Sequence, residues 1–325
     1  MEYRTLGRTG MKVSEVCLGT MTFGDQVDET DAISITHAAI DKGVNFIDTA
    51  NMYVKGRSEE IVGRALKGRR DDVILASKVG IPVGPGPNDG GLSGKHIMKG
   101  VEDSLRRLDT EYLDIYYAHL PDYTTPIETS LRTFDDLVRQ GKVRYLACSN
   151  FRAFQLCKAL WASDRHSLAR FDLIQPPYNL LTRDIEYELL PLCVEENIGV
   201  CVYNPLAGGL LTGKHDFSKA PAAGTRFAND AMGKMYYDRY WNESNFAAVA
   251  EIKSVAEASG KDMAQMALAW ILTNPAVTSI IIGATSMRHV EHNITATTLS
   301  LSEEERAKLD EVWYKLRPLR FFYGR

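Results

Sequence analysis

Four side chains able to hold or move a proton stand at, or just beyond, the ends of short apolar runs. Asp48 closes Val44-Asn45-Phe46-Ile47, Lys78 closes Val73-Ile74-Leu75-Ala76-Ser77 and His119 closes Ile115-Tyr116-Tyr117-Ala118, while Tyr53 follows Asp48 by five residues. Each run reads as a strand buried on both faces, so the polar group that ends it has to emerge from a core. A free tyrosine titrates near about 10 and is a weak acid at neutral pH. A protonated Lys78 close to the Tyr53 hydroxyl would favour the phenolate, and Asp48 would hold Lys78 charged and in place. Tyr53 is then a general acid, able to protonate an oxygen as negative charge develops on it, with His119 orienting that oxygen or relaying the proton. Such a set suits reduction of a carbonyl, where hydride arrives at carbon and a proton at oxygen. Taken singly, each residue is more often a satisfied polar group or half of a salt bridge. Four at successive strand ends form a pattern that chance rarely gives.

The elements that would hold them alternate along the chain. Strand patterns fall at residues 16–19, 44–48, 73–78, 113–119, 143–149, 173–175, 200–203 and 279–283. Several are continuously apolar, as expected when both sheet faces are covered. Ile97, Val101, Leu105 and Leu108 recur at helical spacing behind Ser93, an N-cap residue type. Thr125-Pro126-Ile127-Glu128 reads as a capping box with proline at the first helical position, followed by Ile127, Leu131, Phe134 and Leu137 on one face and by Gly141 as the stop. Ser302-Glu303-Glu304-Glu305 opens the last clear helix in the same way. Eight strands with intervening helices predict an α/β fold, a closed (β/α)8 TIM barrel, whose chemistry sits at the C-terminal mouth. Residues 3–14 read as a β-hairpin around Gly7 to Gly10 that closes the opposite, N-terminal end. No linker breaks the pattern, so residues 1–325 read as a single barrel domain with long loops at its C-terminal face.

At this point the residues resemble a family. Asp48-Thr49-Ala50-Asn51-Met52-Tyr53, with Ser58-Glu59 after it, is similar to the Asp-Thr-Ala-x-x-Tyr segment of the aldo-keto reductases. Ala76-Ser77-Lys78 and Tyr117-Ala118-His119-Leu120-Pro121-Asp122 match the next two motifs, and the resemblance runs from Leu6-Gly7-Arg8-Thr9-Gly10 to Asn293. It implies a barrel that reduces aldehydes or ketones with a nicotinamide cofactor and no metal. In that family the four matching residues are the proton donor (Tyr53), the lysine that tunes it (Lys78), the partner of that lysine (Asp48) and the histidine that orients the carbonyl (His119). The resemblance also reaches the potassium-channel β subunits, which share the Asn-Pro-Leu-Ala type of loop. A regulatory or scaffold subunit that binds NADP(H) is therefore the alternative reading.

The Gly-x-Gly-x-x-Gly loop of most nicotinamide enzymes is missing. Gly84-Pro85-Gly86-Pro87 reads as a loop, and His215 stands where a P-loop after Lys214 would need serine or threonine. The family instead lays its cofactor across the barrel mouth. The resemblance assigns Ser149, Asn150 and Gln175 to the nicotinamide carboxamide and Tyr203 to stacking on the ring. It assigns Asn204, Pro205, Leu206, Gly208, Leu210 and Lys214 to the loop over the pyrophosphate. Gly19, Thr20, Met21, Asp48 and Arg226 complete the set on the same ground. Gly283, Thr285, Ser286 and Arg288 lead into a helix whose first N–H groups can bind the phosphate on the adenosine ribose, with His289 and Asn293 following. Many members carry arginine or lysine near Thr285 and glutamine near His289. With this departure, NADPH is still expected ahead of NADH.

Substrate choice should come from loops at the mouth: residues 21–28, 81–92, 122–125, the long segment 207–245 with Phe227, Tyr236, Tyr237 and Trp241, and residues 319–323. The segment 207–245 reads as a lid. Their aromatics and arginines are compatible with sugar-like, ring-containing or polycyclic carbonyls, and the small-molecule carbonyl or alcohol is the expected partner. A net charge of −4 on 325 residues gives no bulk attraction for nucleic acid or an anionic membrane. No apolar run approaches the ~20 residues that span a bilayer. The start, Met1-Glu2-Tyr3-Arg4, lacks a secretory core, and Cys17, Cys148, Cys157, Cys193 and Cys201 read as reduced core residues. A cytoplasmic protein is expected.

Overall fold

The computed structural model of the chain describes residues 1–228 and 233–317. These divide into two compact units. The first comprises Met1–Pro176, Ile185–Tyr203 and Pro275–Ile294, and the second Pro177–Asp184, Asn204–Asn274 and Thr295–Arg325.

The first unit holds the barrel. A short antiparallel hairpin, β1 (Tyr3–Thr5) and β2 (Lys12–Ser14), comes first. The parallel strands follow: β3 (Val16–Gly19), β4 (Phe46–Asp48), β5 (Ile74–Val79), β6 (Leu113–Ala118), β7 (Val143–Ser149), β8 (Phe171–Gln175), β9 (Gly199–Val202) and β10 (Ser279–Gly283). They pair in chain order, and β10 closes the ring on β3. The predicted (β/α)8 barrel is therefore the observed fold, with boundaries within about two residues of those read from the apolar runs. Between the strands lie α1 (Glu29–Asp41), α2 (Arg57–Ala65), α3 (Gly94–Leu108), α4 (Ile127–Arg139), α5 (Ala153–His166) and α6 (Leu189–Glu195), and α10 (Met287–Thr295) follows β10.

Side chains alternate across a strand, so each strand sends every second residue into the barrel. One buried layer inside it consists of Cys17, Phe46, Ala76, Ile115, Tyr117, Ala147, Leu173, Cys201 and Ile281, one or two from each strand. Leu6 and Val13 of the hairpin join that layer, fully buried, and so plug the N-terminal end. Gly7 makes this close docking possible: a Cβ there would lie 2.5 Å from Gly199 N and 2.8 Å from Asn197 O. Two residues further along, on the same face toward the C-terminal mouth, stand Gly19, Asp48, Lys78, His119, Ser149, Gln175, Tyr203 and Gly283. The period of two alone thus converts an apolar floor into a polar rim.

Two local expectations change. The box proposed at Thr125 does not form, since α4 starts from Pro126 without a side-chain cap. Asp122 takes the amides there instead, accepting from Thr124 N (2.8 Å) and Thr125 N (3.2 Å). Ser302 does form its box with Glu305 at the start of α11 (Glu303–Leu316). All five cysteines are free, but Cys157, on the outer side of α5, is exposed rather than a core residue.

The second unit contains α7 (Gly233–Tyr240), α8 (Glu243–Ala258), α9 (Met263–Leu272) and α11. The segment expected to be one long loop thus contains a helix and the start of another. No helix among the described residues is long and apolar enough to cross a membrane.

Candidate active site

The site is built on Lys78. Its ammonium donates to Asp48 Oδ1, to the Thr49 carbonyl at 2.8 Å and to the Tyr53 hydroxyl at 3.3 Å. Lys78 and Asp48 are almost wholly inaccessible to water. Burial alone would favour the neutral amine. The Asp48 carboxylate, and after it Tyr53, outweigh that cost and hold the Lys78 pKa above its ordinary value. The His119 ring meets the Tyr53 ring edge-on, with centroids 5.9 Å apart. Burial, followed by the charge of Lys78, pushes the His119 pKa well below the usual imidazole range.

Backbone geometry sets where Tyr53 stands. Lys78 is in β5 and Asp48 at the end of β4, whereas Tyr53 lies in a short 3-10 turn, Tyr53–Gly56. Val54 and Lys55 follow it with φ of 48° and 55°, left-handed values that a β-branched residue rarely adopts. Backbone strain of this kind collects at functional sites. Behind the turn, Ser58 Oγ donates to the Thr20 carbonyl (2.8 Å) and meets Thr49 Oγ1 at 3.1 Å. Glu59, fully buried, accepts from Ser77 (2.5 Å) and pairs with Arg107 (2.6 Å). The Ser58-Glu59 motif thus fastens the tyrosine-bearing turn to β5, a role the sequence reading did not assign.

The remaining strand ends form one network. Gln175 Nε2 donates to Asp48 Oδ2 (2.9 Å). Ser149 Oγ and Asn150 N donate to the Gln175 carbonyl at 2.8 and 3.3 Å. Asn150, at φ 63°, donates through Nδ2 to the His119 carbonyl (3.0 Å), and its Oδ1 accepts from the Tyr203 hydroxyl (2.8 Å). Gly19 pairs with both Gly283 and Asp48 in the sheet, leaving that part of the rim without side chains. Thr20 N donates to the Asp48 carbonyl at 3.0 Å, and Met21 is half-buried beside it. At the start of α10, Thr285 Oγ1 bonds His289 Nδ1 (3.0 Å), Arg288 is exposed and Asn293 is buried.

The other predicted positions belong to the second unit. Asn204 is spent locally: its Oδ1 accepts from Gly208 N (2.7 Å) and its Nδ2 donates to Tyr240 (2.7 Å). Gly208 needs to be glycine, since φ is +70° and a Cβ would meet the Tyr236 ring at 2.8 Å. Pro205 and Leu210 are buried, Leu206 is half-buried and Lys214 is exposed. Arg226 hydrogen-bonds the Tyr236 hydroxyl at 3.1 Å. Three of the four aromatics read as mouth residues turn inward: Phe227, Tyr236 and Trp241 are buried, with Phe227 and Trp241 centroids 5.0 Å apart. Tyr237 stays exposed, and residues 319–323 lie outside the described residues.

Comparison with known proteins agrees with this geometry. A model of the Aldo/keto reductase family matches residues 15–314. The chain belongs to that family. This aldo/keto reductase is 40% identical over 301 residues to a "Probable voltage-gated potassium channel subunit beta" of Arabidopsis thaliana, covering 91% of each chain. It is 38% identical to "Uncharacterized oxidoreductase YrpG" of Bacillus subtilis, covering 96% of each. It is 36% identical to "Protein tas" of Escherichia coli, over 96% of this chain and 97% of the other. Family membership makes the chain an oxidoreductase of carbonyl compounds and brings with it the family's use of nicotinamide cofactors.

Proposed function

We propose that the protein reduces an aldehyde or ketone to the alcohol with NADPH, and that Tyr53 donates the proton. The observation that carries this reading is the single ammonium of Lys78, held by Asp48 and touching the Tyr53 hydroxyl. When Tyr53 gives up its proton, that ammonium stabilises the phenolate left behind. His119, kept neutral by burial, can offer an N–H to the carbonyl oxygen without competing as the acid. The donors of Ser149, Asn150 and Gln175 suit a carboxamide, and the half-buried ring of Tyr203 suits a stacked heterocycle. The cofactor, once bound, supplies the hydride. Thr285, Ser286 and Arg288 at the start of α10 supply hydroxyls and a cation for a ribose phosphate, which favours NADPH over NADH. The resemblance assigns Asn204, Pro205, Leu206, Gly208, Leu210 and Lys214 to the pyrophosphate, and with no linker in the sequence residues 1–325 act as one functional domain.

The test compares Tyr53→Phe with the parent. Fluorescence titration is expected to show NADPH binding within about twofold of the parent, while turnover of a good aldehyde falls by about 10²–10⁴-fold, the usual weight of a general acid. Turnover at the parent rate would remove Tyr53 from the role.

The similarity to channel β subunits favours one second reading, a regulatory subunit that binds NADP(H). Tight NADPH binding with no turnover across a broad carbonyl panel would support it.

A further inference from the structure

Gln175 is assigned by motif to the cofactor, yet its side chain is turned toward the proton donor. Its Nε2 donates to Asp48 Oδ2 at 2.9 Å, while Lys78 holds the other oxygen, Oδ1. The Asp48 carboxylate is thus gripped at both oxygens by donors from two strands, β8 and β5. The terminal torsion of an aspartate is broad, so a carboxylate with one donor can swing. Two donors on opposite oxygens leave it one orientation. That orientation matters because the Lys78–Tyr53 contact is long, 3.3 Å, against 2.8 Å from Lys78 to the Thr49 carbonyl. A small displacement of the ammonium toward Thr49 or Asp48 takes the hydroxyl out of reach. Gln175 is itself anchored, its carbonyl accepting from Ser149 and Asn150. A side-chain amide has two N–H donors and an acceptor oxygen. One N–H is used on Asp48 and the Tyr117 hydroxyl lies beside the amide, so the acceptor oxygen is what remains for a ligand.

We propose that Gln175 is a positioning residue for the proton donor: through Asp48 it fixes Lys78 against the Tyr53 hydroxyl, in addition to any contact it makes with a cofactor. The proposal rests on the reading of Tyr53 above. It joins the carboxamide side of the rim to the acid side through one buried amide, so that a ligand bound at the acceptor oxygen of Gln175 also stiffens the group that delivers the proton.

The experiment is a spectroscopic titration of the cofactor-free protein. The phenolate absorbance of each protein, minus that of its Tyr53→Phe counterpart, isolates Tyr53. Gln175→Met keeps the length of the side chain and removes the amide. Its Tyr53 midpoint is expected to move up by about one pH unit relative to the parent, because the ammonium no longer sits on the hydroxyl. With NADPH and an aldehyde, kcat is expected to fall about 10-fold beyond any weakening of NADPH binding, as a misplaced group would give. The pH limb of kcat should follow the moved midpoint. Gln175→Asn, which draws the amide back by one methylene, carries the same expectation should the Met variant fail to fold. An active parent whose Tyr53 midpoint is unmoved in either folded variant overturns the proposal and leaves Gln175 a cofactor contact only. A parent that reduces no carbonyl overturns the functional reading, and with it the catalytic use of the coupling.

Discussion

His119 shows how a residue's surroundings decide which of its chemistries it can use. Its ring is buried, and Nδ1 has no hydrogen-bond partner among the described residues. Burial first, and the Lys78 charge second, disfavour the imidazolium. The ring is therefore neutral through the working range and is an orienting donor rather than the acid. The pH profile of kcat/KM is then expected to carry no limb from His119 near the ordinary imidazole value of 6.5. Replacing it, His119→Gln, should lower kcat/KM by about 10-fold or more while leaving the shape of the profile between about pH 5.5 and 8 unchanged. A limb in the parent that vanishes in the variant would show that the histidine titrates during turnover. The same depression has a sign in stability. The unfolded chain takes a proton on this ring and the folded one does not, so acidification through the unfolded value costs folded stability.

At the scale of elements, the loops before α3 and α4 are tied together by one carboxylate. Asp122 accepts from Leu92 N (2.7 Å), Thr124 N (2.8 Å), Thr124 Oγ1 (2.7 Å) and Thr125 N (3.2 Å). Partial burial works against its charge, but these donors together hold the carboxyl well below the usual carboxylate range. Asp122→Ala is expected to cost about 2 kcal/mol, since it leaves several amides without an acceptor. It should also expose residues 81–92 to limited proteolysis before the barrel unfolds; equal protection of that loop in variant and parent would contradict the tie. The stabilisation is present above the unfolded carboxyl pKa and lost as pH falls through the folded one. None of this was visible in Thr125-Pro126-Ile127-Glu128, because a capping box is a local pattern and Asp122 reaches Leu92 across 30 residues. The strands were legible for the opposite reason. A strand covered on both faces has to be apolar throughout, so the first polar inward position, as at Asp48, Lys78 and Gln175, marks both its end and the rim. The partners of those polar groups were less legible. Lys78 uses the Thr49 carbonyl, which carries no residue-type signal, and Gln175 meets Asp48 only because eight strands close a ring. In the segment 207–245 the sequence offers aromatics without a regular apolar stripe, so neither α7 nor the inward packing of Phe227 and Trp241 could be read from it.

For the molecule as a whole, the barrel unit has two ends of opposite character, each built from the same strands. The C-terminal ends carry the rim, and the N-terminal ends carry the hairpin plug and a cleft of about 590 Å³ lined in part by Arg8, Arg144, Arg170 and Asp172. The pairing of buried charge differs between them. At the rim, Asp48 is matched by an ammonium and an amide. At the base, Asp172 is mostly buried, its nearest cation is the Arg8 guanidinium at 3.7 Å, and burial, only partly offset by Arg8 and Arg170, pushes its pKa up to about 6. A group with a raised carboxyl pKa binds its proton more tightly in the folded state. Its contribution is therefore favourable below the unfolded value of about 3.9 and is lost progressively as pH rises to the folded value. Above that, the folded chain carries a carboxylate that would be better solvated when unfolded, at a cost of about 3 kcal/mol. Asp172→Asn keeps the shape and removes the charge. It is expected to raise stability at neutral pH by up to that amount and to flatten the decline between about pH 4 and 6, measured by chemical denaturation across the range. Turnover should not change, because the substitution lies at the end of β8 opposite Gln175. A variant less stable than the parent at neutral pH would mean that the Arg8–Asp172 pair holds the hairpin plug in place and outweighs the burial of its charge.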